Sequence, residues 1–103
     1  MAQVTVVYWR DIPAQVIAGA GGRGRRGAAK VQLSERFEQA IDRCAMRVGA
    51  RDSDAYLAEW RRGLPFERPG APEEVAAAEA ARLEAEYDAG RLKALVENGG
   101  RSA

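Results

Sequence analysis

Residues 19–27 read GAGGRGRRG, and two folds compete for this stretch. Gly19 to Gly24 satisfy G-x-G-x-x-G. If those glycines opened a helix behind a strand, they would form the phosphate loop of a dinucleotide-binding α/β sheet. Here RRGAAKVQL follows, and the first helix cap comes only at Ser34. The acidic residue expected about 20 positions on has no matching strand-end context. The P-loop pattern fails as well, because Arg25 and Arg26 follow Gly24 where Lys and Ser/Thr are required. The stretch reads instead as a long hairpin connection, residues 19–29, which makes the chain α+β rather than doubly wound.

Three uses of this connection remain open. It can be a solvated loop whose charges keep the chain in solution. It can contact phosphates as RGG-like segments do, through Arg23, Arg25, Arg26 and the neighbouring Lys30, although no aromatic is interleaved for bases to stack on. It can dock on an acidic protein surface.

The strands around it follow from composition. Gln3 to Trp9, QVTVVYW, is rich in β-branched and aromatic residues, apolar on both faces, and suits a central or doubly covered strand. Arg10 to Pro13, RDIP, turns the chain into a second strand, Ala14 to Ala18; Lys30 to Leu33 is a short third. The pattern then becomes helical. Ser34 caps a helix whose stripe is Phe37, Ile41, Cys44 and Val48, and Gly49 ends it. Asp52 caps a second helix carrying Tyr56, Leu57 and Trp60, ended by Gly63. Residues 64–72, LPFERPGAP, hold three prolines and predict an irregular connection. Glu73 to Glu97 predicts one long helix with a seam at Ala80, Leu83, Tyr87, Gly90 and Ala94, in which Gly90 is a kink or a point of close approach. Residues 1–98 form one domain, and 99–103 are expected to fray.

The balance of charge excludes some partners. The net charge of +1 provides no global field toward nucleic acid or membrane. Up to Leu33, five basic residues oppose Asp11 alone, so this part carries four excess positive charges and the remainder three excess negative. Only Lys30 and Lys93 are lysines; the other 14 basic residues are arginine, through coding bias or because bidentate contacts are needed. A single cysteine, no apolar run of membrane length and no secretory leader pattern predict a cytoplasmic protein without an internal disulfide.

Catalytic chemistry is hard to place. There is no histidine, so Ser/His/Asp and Cys/His arrangements are impossible within this chain. Cys44 lies on the apolar stripe and reads as an inert buried thiol rather than a reactive one. No acidic cluster reads as a metal site, and no cofactor is expected. Two aromatic–arginine pieces stand out: Tyr8-Trp9-Arg10-Asp11 and Trp60-Arg61-Arg62. They are either core anchors with internal ion pairs, such as Arg10 with a helix carboxylate, or an interface patch of the residue types that dominate binding hot spots. An enzyme using Tyr8, Arg10 and Asp11 with a bound cofactor is a third reading.

The same pieces carry a family likeness. VYWRDIPAQV (Val7–Val16), ERFEQAIDRCAMRVG (Glu35–Gly49) and DAYLAEWRR (Asp54–Arg62) resemble the small bacterial proteins of the virulence factor family, common in alphaproteobacteria. Cys44 stands where the family suggests a small residue such as alanine, and the glycine–arginine loop looks like an expansion of a shorter basic linker. The resemblance implies no catalytic residues. It implies a small partner of a folate- or corrinoid-dependent one-carbon enzyme. The leading expectation is a non-enzymatic accessory protein that binds another protein, or its own copy through the long helix; the alternative is a nucleic-acid binder using the loop.

Overall fold

The computed structural model describes residues 2–19, 29–50 and 52–101. The element order is β1 (Ala2–Trp9), β2 (Ile12–Gly19), β3 (Ala29–Gln32), α1 (Glu35–Val48), α2 (Ser53–Ala58), β4 (Trp60–Arg62), β5 (Phe66–Arg68), α3 (Pro72–Glu86) and α4 (Ala89–Glu97). This is the α+β architecture that the hairpin reading of residues 19–29 requires. β2 and β3 pair antiparallel on either side of residues 20–28, which lie outside the described residues.

The sheet runs β3-β2-β1-β4, with β5 also pairing β1. β1 is central, as its two apolar faces predict. Val4 pairs with Ala18 and Val6 with Val16, so these buried side chains share one face. Val75, Ala76, Ala80 and Leu83 of α3 are buried over that face. The register slips between Val7 and Tyr8, where Ala14 is an extra residue in β2. Trp9 faces the opposite side by strand alternation, and the slip turns its partner Ile12 to that side with it. There α1 and α2 complete the core with Phe37, Ile41, Cys44 and Tyr56.

Four sequence expectations are corrected. Trp60 is in a strand rather than at the end of a helix, because it pairs with Trp9 at the edge of β1. Residues 66–68 also form a strand, and Gly63, between β4 and β5, donates its N–H to the Val6 carbonyl. A Cβ there would meet Tyr8 Cε1 at 3.1 Å, so close approach selects the glycine.

The long helix is two helices. α3 stops at Glu86, and the Asp88 side chain accepts from the Arg91 N–H as the N-cap of α4. Gly90 therefore lies in a first turn, neither a kink nor a close approach; a Cβ there would find only Asp88 Oδ1, at 3.6 Å. Finally, Gly99 and Gly100 are docked. Gly100 adopts φ +81°, donates to the Leu95 carbonyl and accepts from the Asp11 N–H.

Candidate functional site

The structure brings most of the residues singled out in the sequence to one corner, where the β1–β2 turn meets α2, β4 and the C-terminal glycines. A two-residue loop, Arg10-Asp11, joins β1 to β2, and Arg10 holds φ +54°. A side chain in the left-handed region costs about 1–2 kcal/mol, which is why glycine usually fills such a position. Arginine is held there by what its side chain does. Nη1 donates to the Gly99 carbonyl at 2.7 Å, and Nη2 donates to Glu59 Oε2 at 3.2 Å. The guanidinium also lies 5.4 Å from the Trp9 ring centroid. The ion pair expected between Arg10 and a helix carboxylate is thus the one with Glu59, the last residue of the α2 turn.

Asp11 closes the corner from the other side. Its carboxylate accepts from Arg61 at 2.9 Å, and Arg61 Nε donates to the Arg10 carbonyl. The Arg61 guanidinium also covers the Tyr8 ring at 4.5 Å. Trp9 is wholly buried and donates its indole N–H to the Tyr56 carbonyl. Trp9, Tyr56 and Trp60 form an aromatic stack with centroids 5.7 and 5.9 Å apart. Trp9 is therefore a core anchor with no face for a partner, Trp60 is half-buried, and only Arg61 and Arg62 stand exposed. Sequence reasoning found this constellation but not Glu59, Gly99 or Gly100, which reach Arg10 and Asp11 from 49 or more residues away.

The chemistry of the corner is poor in proton carriers. Burial pushes the Tyr8 hydroxyl above its usual value, reinforced by Tyr87, so it is no base near neutrality. Burial likewise raises the Cys44 thiol, which is closed off beneath Gly100. Among the described residues, no three acidic or cysteine side chains cluster as metal ligands would. Arg23, Arg25 and Arg26 lie outside the described residues; Lys30 is exposed on β3.

A second feature has no forerunner in the sequence reading. α1 and α4 pack side by side and leave a groove of about 440 Å³ between them. Its apolar floor is Ala40, Ala89, Leu92 and Val96. Arg36, Gln39 and Arg43 stand on the α1 wall, and Lys93 and Glu97 on the α4 wall. Arg36 is bound inward, to the carbonyls of Glu84 and Tyr87 and to the Glu84 carboxylate. Glu84 in turn accepts from the Ser34 N–H and hydroxyl at the start of α1. Arg36 of α1 thereby closes the end of α3, and Glu84 of α3 holds the start of α1. Spacings of three and four at Arg36, Gln39, Ala40 and Arg43 were visible in the sequence. The matching face of α4 was hidden while 73–97 read as one helix, because the break at Asp88 resets the phase.

A family model described as Virulence factor matches residues 7–96. No curated protein and no solved structure matches the chain.

Proposed function

The chain belongs to the virulence factor family, and we propose that it acts there as a small non-enzymatic accessory protein that binds another protein. One observation carries this reading. The polar groups best suited to chemistry, Arg10, Asp11, Glu59 and Arg61, are consumed in holding the turn, α2, β4 and the C-terminal glycines together. The α1–α4 groove meanwhile presents exposed Ala89 and half-buried Val96 above the buried Ala40 and Leu92. A concave, largely apolar groove rimmed by a few polar side chains is the usual form of a binding site.

The chain's own helical seam does not serve that purpose. Ala80, Leu83 and Tyr87 are buried in the core, and Gly90 and Ala94 fall on a different helix. A partner other than a second copy fits the surface better. The family likeness adds the class of partner, a folate- or corrinoid-dependent one-carbon enzyme in the cytoplasm. No helix among the described residues is long and apolar enough to cross a membrane.

The test is a tagged pull-down from native lysate with nuclease present and high-salt washes, read by mass spectrometry. The expected result is one protein recovered in stoichiometric amount. Recovery of nucleic acid alone, lost on nuclease treatment, would reject the reading and move attention to Arg23, Arg25 and Arg26.

A further inference from the structure

The groove between α1 and α4 has a charge pattern that selects among protein partners. Resting on the accessory reading above, we infer that it receives an amphipathic helix whose apolar stripe is flanked on both sides by acidic side chains.

Shape comes first. Arg36, Gln39, Ala40 and Arg43 span two turns of α1, and Ala89, Leu92, Lys93, Val96 and Glu97 span a little over two turns of α4. At 1.5 Å per residue the groove is about 10 Å long. That length takes the i, i+3 or i+4, and i+7 anchors of a helix laid along it. Ala40 and Ala89 carry only methyl groups, so an incoming backbone can come close. Leu92 and Val96 supply the apolar contact, Leu92 from a buried position and Val96 from a half-buried one.

Charge then distinguishes among helices. Arg36 is neutralised by Glu84. Arg43 stands exposed on one wall and Lys93 on the other, and among the described residues neither forms an ion pair. A helix in the groove has two flanks, and each meets one of these cations. Carboxylates on both flanks would therefore be matched, and lysines on both opposed. Glu97, one turn beyond Lys93, marks the end of the groove at which the guest needs a neutral or basic residue.

The test uses the full chain and two helix-stabilised peptides of about five turns. Both carry the same leucine stripe, with glutamates on both flanks in one and lysines in the other. Affinity is read by fluorescence anisotropy and location by backbone amide shifts. The glutamate peptide should shift Gln39, Arg43, Lys93 and Val96, and bind about tenfold tighter than its lysine twin, a gap that narrows with salt. The double variant Arg43→Glu, Lys93→Glu changes two exposed positions and should reverse the order of the two peptides. Equal binding of both peptides, shifts centred outside the groove, or no reversal in the variant would overturn the inference. So would saturation of the groove by dodecanoate with no binding of either peptide, which would make it a site for small amphipathic anions. If the peptides fail while a native partner is still captured through another surface, only this inference falls. If no protein partner exists, the accessory reading falls as well.

Discussion

Replacing Arg10 tests whether the most distinctive stretch of the sequence is structural. Arg10→Ala removes the 2.7 Å bond to the Gly99 carbonyl and the 3.2 Å bond to Glu59. It also removes the stacking on Trp9. Hydrogen bonds from a charged donor contribute about 1.5–3 kcal/mol each, and a partly shielded cation–π contact about 0.5–1 kcal/mol. Three observations pull the total toward the low end. The Arg10 side chain is 19% exposed, Glu59 retains Arg101 as a partner at 3.3 Å, and Arg10 Nε is buried without an acceptor, a cost that vanishes with the side chain. The expected loss is about 2–3 kcal/mol.

Arg10→Gly removes the same contacts but also relieves the left-handed backbone, so it should be about 0.5–1 kcal/mol more stable than the alanine variant. Arg10→Lys keeps the charge without the two-pronged geometry and should fall between the alanine variant and the unmodified chain. Urea unfolding followed by tryptophan fluorescence gives these differences directly. For a domain of this size each kcal/mol moves Tm by about 4–8 °C. A loss under about 0.5 kcal/mol in Arg10→Ala would refute the reasoning, since it would mean that the corner is not held by this side chain. Alanine as stable as glycine would refute the strained turn.

Other consequences are simpler. Partial burial pushes the Glu84 carboxyl up, but bonds from the Ser34 N–H and hydroxyl and from Arg36 outweigh it and hold the group below its usual 4.5. Its stabilisation is therefore present above pH 4.5 and lost as pH falls through the lowered value. Glu84→Gln should cost about 1 kcal/mol at pH 7 and flatten the acid limb of the stability profile in urea titrations run at stepped pH. Gly90→Ala should raise stability by about 0.4–1 kcal/mol, because a methyl group there meets nothing closer than 3.6 Å; a loss on thermal melting would restore the close-approach reading. Gly100→Ala should destabilise by more than about 1 kcal/mol, because φ is +81° and the new carbon would stand 2.9 Å from Cys44 Sγ. Cys44, wholly buried and with its thiol raised by burial, should react with a disulfide reagent only as fast as the chain opens, so labelling should accelerate in Gly100→Ala.

The fold was largely legible because it is written in local signals. QVTVVYW could only be a buried strand, and the stripe Phe37, Ile41, Cys44 with Gly49 at its end marked α1. Val48, expected on the stripe, is nevertheless exposed, and the Ser34 hydroxyl bonds Glu84 instead of capping the helix. β4 was missed because three residues carry too little periodicity; Trp60 is placed by pairing with Trp9 across the sheet, a contact 51 residues long in sequence. The break in the C-terminal helix was missed because alanine-rich sequence favours helix on both sides, and Asp88 reads equally as a surface charge or a cap. The corner at Arg10 was half legible. Tryptophan beside arginine marks either an anchor or a hot spot, and only the arrival of Glu59, Gly99 and Gly100 decides for the anchor. The groove was not legible at all, because it exists between two helix faces whose relative phase depends on the break at Asp88.

The central claim is that this chain works by receiving a protein partner in the α1–α4 groove, while the aromatic–arginine corner holds the fold. The most direct measurement places a photo-crosslinking residue at Gln39, on the wall of the groove, and in a separate protein at Arg62, exposed on β4 beside the corner. Both are irradiated in native lysate, and the products are identified by mass spectrometry. The account predicts one protein captured from Gln39 and not from Arg62. Capture from Arg62 with none from Gln39 would contradict it and return the interface to the strand.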